Sequence, residues 1–289
     1  MASAQLSCAR KSRAALAASY QGGEPALLEA ILPLVDYIEI TPDTIAELTH
    51  DGSHPKPDTV AELEDIGPDA RLIAHGVGLS IGSHDGYSEC YLHLLDQLFS
   101  QFDISWHSEH LAYTTVDGES LGTMLALPRT NEMLDLVSER VLRVQQRYGV
   151  PFLLENVVHI LPDYDGEYSD AAFLNQLAAN TGCGLILDVY NLECDAFNYG
   201  FDIAGFLSEL NFENVREIHL AGGVRHRGFQ LDVHSRATAD STLQLANLVL
   251  AQAPNVRAVT YEFLREAIPY LGQSAICTEL TRIGHGLRS

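Results

Sequence analysis

The stretch Pro151–Asn156, PFLLEN, decides the fold, because four apolar residues end abruptly there in a carboxylate and an amide. A continuous apolar run between Gly149 and Asn156 is typical of a strand that is buried on both faces. An unpaired carboxylate beside a core is costly. The run therefore predicts a parallel strand that delivers Glu155 to a site where the carboxylate has partners.

Five other apolar runs end in residues of the same kind. They are RLIAH, ISWHSEH, LILDVYN, VREIHL and VRAVTYEF, and their polar ends are His75, His110, Asp188 with Asn191, His219 and Glu262. A single strand-end histidine is more often a hydrogen-bonded structural residue. Six such ends are better explained by one shared metal site, because the carboxyl ends of barrel strands meet at one rim.

Strand and helix patterns alternate along the chain and predict a (β/α)8 TIM barrel of the xylose-isomerase-like type, one domain over residues 1–289. An open doubly wound sheet is the alternative, although it more often has five or six strands and a Gly-rich first turn. The predicted strands are Gln5–Ala9, Asp36–Thr41, Arg71–His75, Ile104–Glu109, Pro151–Glu155, Gly184–Asp188, Glu217–Leu220 and Ala258–Phe263. The predicted helices are Pro25–Leu34, Asp58–Asp65, Tyr87–Phe102, Thr130–Tyr148, Asp170–Asn180, Ile203–Leu210, Ala237–Ala253 and Ile268–Ile283.

Composition excludes several classes of protein. The net charge of −22, from 17 Lys+Arg and 39 Asp+Glu, argues against binding to a nucleic-acid backbone. No apolar run approaches the roughly 18–20 residues that span a bilayer, so we expect no membrane segment. Five widely spaced cysteines without a C-x-x-C pair predict small core residues in a reducing cytoplasm.

Further candidate ligands follow the predicted strands. Asp232 and His234 are two residues apart, so in an extended segment both side chains can reach one ion. Asp188 can supply a ligand and Asn191 an amide that holds it, while Glu155 can bridge two ions with its two oxygens. More than four ligands imply two or three ions, and His, Asp, Glu and Asn without a thiolate suit iron, manganese or zinc alike.

The segment His107-Ser108-Glu109-His110 is ambiguous. Strand alternation places His107 and Glu109 on one face and Ser108 and His110 on the other, so only one pair can point into the barrel. Periodicity alone leaves both choices open.

Seven motifs, in order, carry a resemblance to a known family. They are AHGVGLSIGSH (74–84), SEHLAY (108–113), LLENV (153–157), TGCGLILDVYN (181–191), EIHLAGG (217–223), DVHS (232–235) and YEF (261–263). The chain resembles the DUF692 family of multinuclear non-haem iron-dependent oxidative enzymes, which act on ribosomally made peptides, as in methanobactin biosynthesis.

The resemblance implies a barrel with two or three iron ions, with Glu155, Asp188 and His219 at the catalytic centre. By motif position it implies nine metal ligands, which are His75, His110, Glu155, Asn156, Asp188, His219, Asp232, His234 and Glu262. It also implies that His110 rather than His107 faces into the barrel. It also implies O₂ as co-substrate, a precursor peptide oxidised at a cysteine or another residue of its C-terminal region, and a partner protein that binds the leader segment.

Three departures from the family pattern keep other interpretations open. Tyr190-Asn191 replaces two asparagines, Ala196–Gly200 (AFNYG) replaces a His-rich turn, and Gly222-Gly223 replaces glycine-histidine. They motivate the hypothesis of a metal-binding partner protein without turnover. A divalent-metal sugar isomerase or epimerase of similar fold is the other alternative, although the matching motifs contain no lysine to act as base. A trinuclear zinc phosphodiesterase acting on DNA fits the charge of −22 poorly.

Overall fold

Eight parallel strands form a closed barrel in the computed structural model, which describes residues 14–49, 52–66, 70–86, 88–161 and 166–287. Each strand pairs with its neighbour in the sequence, and β1 closes the barrel by pairing with both β2 and β8. The strands are β1 Ala15–Tyr20, β2 Tyr37–Ile40, β3 Arg71–Gly76, β4 Ile104–His110, β5 Phe152–Glu155, β6 Gly184–Asp188, β7 Val215–Leu220 and β8 Ala258–Tyr261.

Helices follow the strands and cover the outside of the barrel. They are α1 Pro25–Ile31, α2 Pro57–Glu64, α3 Glu89–Gln101, α4 Asn131–Tyr148, α5 Asp170–Thr181, α6 Val189–Tyr199, α7 Ile203–Glu209, α8 Asp240–Gln252, α9 Ile268–Leu271 and α10 Gln273–Gly286. Thr130 and Ser169 cap α4 and α5 through their hydroxyl oxygens, and Gly149 ends α4 in the left-handed conformation at φ 70°. No helix among the described residues is long and apolar enough to cross a membrane.

Three antiparallel hairpins extend from the barrel. Ala46–Thr49 pairs with Gly52–Pro55, and Ala112–Val116 pairs with Glu119–Ala126 after β4. The third, the rim hairpin, pairs Val224–His226 with Phe229–Leu231 after β7. It leads directly into the Asp232–His234 segment and therefore sets where those two side chains lie.

The barrel interior has an apolar layer below a polar one. The apolar layer consists of Ala17, Tyr37, Ile73, Trp106, Leu153, Ile186 and Ala258. Side chains two residues further along several of these strands lie in the next layer, because alternate residues of a strand face the same side. That layer contains Glu39, His75, Ser108, Glu155 and Asp188, all buried.

The predicted barrel and most of its elements are confirmed. The predicted first strand, Gln5–Ala9, lies outside the described residues, and the first strand of the barrel as described is Ala15–Tyr20, which was not predicted. Helix α6 was not predicted; it begins directly after Asp188, without a loop. The alternative of an open doubly wound sheet is wrong, because β1 and β8 pair in register from Ala15 with Ala258 to Ala18 with Tyr261.

Candidate metal centre

Ligand-type side chains from seven strands converge at the carboxyl end of the barrel. Three groups of donors each lie within 4.8 Å: Glu39, His75 and His219; His75, His110 and Glu155; and Glu155, Asp188, His219 and Glu262. The second and third groups share Glu155. This carboxylate, 1% exposed, therefore lies between two sets of donors, as expected for a bridging ligand.

Glu155 is held by three imidazoles. Its Oε2 lies 2.9 Å from His75 Nε2 and 3.6 Å from His110 Nε2, and its Oε1 lies 3.5 Å from His219 Nδ1. Burial opposes its ionisation, but the imidazoles of His219, His110 and His75 together hold the pKa of Glu155 well below its usual range. The carboxylate is thus ready to bind a cation.

The neighbouring acids repel one another. Burial raises the pKa of Asp188 well above its usual range, and the nearby carboxylates of Asp232, Glu155 and Glu262 raise it further. Glu262 Oε2 is 3.0 Å from His219 Nδ1, and despite burial this histidine and His234 lower the pKa of Glu262 to about 2. A bound cation would offset this repulsion, because it would be the largest charge in the site.

Several buried polar atoms at the centre lie close to other polar atoms but form no hydrogen bond of good geometry with any described residue. They are Glu39 Oε1 and Oε2, Glu155 Oε2, Asp188 Oδ2, Asn191 Oδ1, both ring nitrogens of His219, Asp232 Oδ1, His234 Nε2 and Glu262 Oε2. Orphaned buried groups are rare in folded proteins and costly. Their concentration here fits metal ions, which accept lone pairs from oxygen and imidazole nitrogen.

Asp232 and His234 lie at the outer edge of the centre. His234 Nε2 is 2.8 Å from Asp232 Oδ1, and its Nδ1 is 3.9 Å from Glu262 Oε2. The segment is not extended as predicted, because His234 has the left-handed conformation with φ 44°. The two side chains nevertheless face each other, and Glu262 connects them to the inner donors.

The two candidate asparagines have different surroundings. Asn156 is bonded to the backbone of Asp188 in both directions, accepting from its N–H at 2.9 Å and donating to its carbonyl at 3.0 Å. Asn191 donates to the carbonyl of Asn156 at 3.1 Å, but its buried Oδ1 forms no hydrogen bond within the described part of the chain. The free amide oxygen therefore belongs to Asn191, although motif position pointed to Asn156.

Strand β4 places His110 inward, as the resemblance implied. His110 Nδ1 donates to the carbonyl of Gly76 at 2.9 Å, which leaves Nε2 facing Glu155. Glu109 points outward and accepts from the Tyr91 hydroxyl at 2.7 Å. His107 also points outward, with Nε2 2.9 Å from Glu109 Oε1.

Sequence reasoning did not find Glu39. It lies within an apolar strand, YIEI, where a single acid is easily taken for a residue at the strand surface. It is 1% exposed, and burial raises its pKa to about 7 although His219 lowers it. The only available signal was that a strand buried on both faces does not tolerate an unpaired acid.

The three departures from the family pattern meet on the outer side of the rim hairpin. Tyr190, Ala196, Phe197, Gly222 and Gly223 line one cavity of about 580 Å³. A Cβ on Gly223 would lie 1.9 Å from the Leu231 carbonyl oxygen and 2.7 Å from the Tyr190 hydroxyl. A larger residue at position 223 is therefore incompatible with this hairpin and with Tyr190.

Barrel and donor groups together define a TIM-barrel protein with a candidate multinuclear metal site. The chain belongs to the RiPP precursor modification enzyme family MbnB/TglH/ChrH, whose model matches residues 22–283. The resemblance inferred from the motifs is thereby confirmed. Members of this family modify the precursors of ribosomally synthesised peptides.

Two relatives each match about three quarters of the chain. A UPF0276 protein of Anaeromyxobacter sp. (strain Fw109-5) is 35% identical over 216 residues, covering 75% of this chain and 74% of the relative. A UPF0276 protein of Caulobacter vibrioides is 32% identical over 220 residues, covering 76% of each.

Two solved structures resemble the fold. A xylose isomerase domain containing protein from Salmonella typhimurium superposes with a TM-score of 0.64 at 13% identity, covering 96% of this chain and 98% of that one. Endonuclease IV from Thermus thermophilus superposes with a TM-score of 0.55 at 17% identity, covering 96% and 99%. Likeness at such low identity speaks for the fold alone.

Proposed function

We propose that the chain is a multinuclear non-haem iron enzyme that uses O₂ to oxidise a residue of a ribosomally synthesised peptide. The observation that carries the proposal is the pair of donor groups joined by Glu155, in which several buried atoms form no hydrogen bond with any described residue. The donor types fit iron, manganese and zinc alike, and the choice of iron rests on the family resemblance.

The ligands divide into three sets. His75, His110 and Glu155 would hold one ion, and Glu155, Asp188, His219 and Glu262 a second. Asp232 and His234, with the free Oδ1 of Asn191, would hold a third at the outer edge. We assign Asn156 to positioning, because hydrogen bonds to the backbone of Asp188 occupy its amide.

Bound iron would supply the redox chemistry and an open position for O₂ beside the substrate. The protein's own part is orientation and exclusion of water. Ser108 Oγ lies 3.0 Å from His75 Nδ1, and the carbonyl of Gly76 holds His110 Nδ1, so both rings present Nε2 to Glu155. Burial of Glu155, Asp188 and His219, each at most 1% exposed, keeps bulk water away from them.

A groove of about 470 Å³ reaches the centre from outside. Asn191 and Asp232 lie in its lining, and its walls include Met124, Val157, Ile160, Tyr199, Phe229 and Leu231. Ile160, Tyr199 and Phe229 are each at least 42% exposed, which marks an apolar binding surface. Such walls suit the side chains of a peptide better than a polyhydroxylated sugar, which disfavours the isomerase alternative.

The test is anaerobic purification followed by metal analysis and co-expression with candidate precursor peptides. We expect two or three iron ions per chain and a mass change in the peptide that requires O₂. The matched variant Glu155→Gln should abolish the mass change. Magnesium as the bound metal, or a metal-loaded protein that leaves every candidate peptide unchanged with the leader-binding partner present, would contradict the proposal.

A further inference from the structure

His219 has acidic partners on both sides of its ring. Its Nδ1 lies 3.0 Å from Glu262 Oε2 and 3.5 Å from Glu155 Oε1, within the third donor group. Its Nε2 faces the opposite way, 3.4 Å from Glu39 Oε2 and 3.5 Å from Glu217 Oε1. A neutral imidazole carries one proton, so one nitrogen can bind a metal only if the other keeps the proton.

Glu217 has other partners. Its Oε2 accepts from Trp106 Nε1 at 2.7 Å, and its Oε1 accepts from the Thr260 hydroxyl. Glu39 is equally buried, at 1% exposure, but neither of its oxygens has a hydrogen-bond partner among the described residues. Of the two acids that face Nε2, Glu39 is therefore the one that needs a donor.

We infer that Glu39 is a positioning residue that accepts the Nε2 proton of His219 and so leaves Nδ1 free to bind the ion shared with Glu155, Asp188 and Glu262. The inference rests on the proposed metal centre but does not depend on the reaction. A carboxylate that fixes the tautomer and orientation of a metal-binding histidine also raises the basicity of the ligand.

The alternative is that Glu39 is itself a ligand, in the group with His75 and His219. That group would need the lone pair of His75 Nε2, which lies 2.9 Å from Glu155 Oε2 in the second group. It would also need His219 Nε2 to give up the proton that leaves Nδ1 free for the third group. Each ring nitrogen has one lone pair and serves one ion. An ion beside Glu39 would thus weaken both groups that Glu155 joins.

The first experiment reads the tautomer directly. Full-length protein labelled with ¹⁵N-histidine is loaded with Zn²⁺, a diamagnetic probe, and the His219 signals are assigned by comparison with His219→Gln. We expect a metal-bound Nδ1 and a slowly exchanging Nε2–H. In Glu39→Leu this N–H should exchange at least tenfold faster, because its acceptor is gone. A proton on Nδ1 with metal on Nε2 would overturn the inference.

The second experiment compares metal affinity across matched variants, titrated with Co²⁺ and followed by its absorption. Glu39→Leu should weaken the ion at His219 about 10–100-fold without lowering the number bound at saturation, and Glu39→Gln should weaken it less, since its carbonyl still accepts. Glu217→Gln should leave the affinity within about twofold of wild type.

The loss of one whole equivalent of bound Co²⁺ in both Glu39 variants would instead identify Glu39 as a ligand. An unchanged affinity in a folded Glu39→Leu protein would also refute the inference, whereas a wild type that binds no Co²⁺ refutes the proposed function.

Discussion

Glu155 is the residue on which the centre depends most, because its two oxygens face different donor groups. Oε2 lies toward His75 and His110, and Oε1 toward His219. A monodentate ligand at this position could serve only one of the two groups. If both groups hold ions as proposed, Glu155 would bind both of them, and we expect the two sites to fill cooperatively.

Replacing this carboxylate tests the arrangement. Glu155→Gln should lower bound iron by roughly two equivalents per chain, because both groups lose a charged ligand. Elemental analysis of anaerobically purified protein measures this. The control is Glu109→Gln, which changes a buried acid on the neighbouring strand that faces Tyr91 instead. Equal loss in both variants would mean that the fold rather than the ligand was affected.

The two asparagines should separate stability from metal binding. Asn156→Ala removes two hydrogen bonds to the backbone of Asp188, so the free energy of unfolding of the metal-free protein should fall by about 1–3 kcal/mol. Asn191→Ala removes one hydrogen bond, to the carbonyl of Asn156, together with an oxygen that bonds no described residue, so it should weaken the outer ion and lower stability less than Asn156→Ala does. Chemical denaturation and metal titration distinguish the effects. If Asn156→Ala chiefly weakened metal binding and Asn191→Ala chiefly lowered stability, Asn156 rather than Asn191 would be the ligand.

At the scale of elements, the strand ends were predictable and their connections were not. PFLLEN and VREIHL carry apolar runs that stop at a polar residue, so both position and direction follow from the sequence. The start of α6 at Asp188 was harder to predict, because this residue ends β6 and also caps α6 by accepting from the Asn191 N–H at 2.7 Å. A helix that begins without a loop leaves no turn residues to reveal it.

Long-range partners explain the other failures. Glu39 is recognisable as part of the site only once β2 and β7 lie across the barrel, where His219 is 180 residues away in sequence. The strand Ala15–Tyr20 is weakly patterned, with three alanines among its six residues, and its place is fixed by pairing with Ala258–Tyr261 far along the chain. The local pattern of apolar residues predicts neither the contact between Glu39 and His219 nor this strand pairing.

The loop after β5 is anchored to α5 and α6 by His159. Its Nδ1 lies 2.6 Å from Asp195 Oδ2 and its Nε2 lies 3.4 Å from Asp170 Oδ1. Burial opposes protonation, but these two carboxylates raise the pKa of His159 to about 10. The loop also carries Val157 and Ile160, which line the groove. Its anchor therefore fixes one wall of the proposed substrate site.

This anchor predicts a pH dependence. Because the folded pKa lies above the unfolded value of about 6.5, the stability that His159 contributes is complete below that value. It should be lost progressively as the pH rises toward 10. His159→Gln should lower stability by about 1.5–3 kcal/mol at pH 6 and converge on wild type near pH 10. Denaturant unfolding of metal-loaded proteins provides the comparison. A constant difference across this range would contradict the predicted role.

The rim hairpin should control substrate affinity. Phe229, 47% exposed, lines the groove, and Asn198 holds the hairpin through Gln230, accepting from its N–H at 2.8 Å and donating to its carbonyl at 2.9 Å. Phe229→Asp should raise KM for the peptide about tenfold or more with little change in kcat, because it removes contact distant from the inner ligands. Tyr270→Asp, at an 82% exposed aromatic on α9, is the control. An equal effect of both would argue against binding in this groove.

At the scale of the whole molecule, this acidic chain, with a net charge of −22, buries several carboxylates together at one end of its barrel. Burial and the carboxylates around Asp188 disfavour its ionisation, so without cations the rim carries an energetic cost. Metal binding should remove this cost and add its own free energy. Removal of metal should therefore affect folding as well as activity.

Chelation provides the test, and the deciding measurement is whether one variant raises or lowers the Tm of the metal-free protein. With metal at about 1,000 times its Kd, wild type should gain roughly 4 kcal/mol, a shift in Tm on the order of 10 °C that chelator abolishes. Asp188→Asn should behave in the opposite way. Its metal-free form should melt above metal-free wild type, because a neutral amide avoids the cost of ionising or protonating a buried acid there and still caps α6. Its gain from metal should be small. If metal-free Asp188→Asn melts below metal-free wild type, the histidines alone balance the charges of the acids at this rim. The electrostatic argument for cations at this site would then fail.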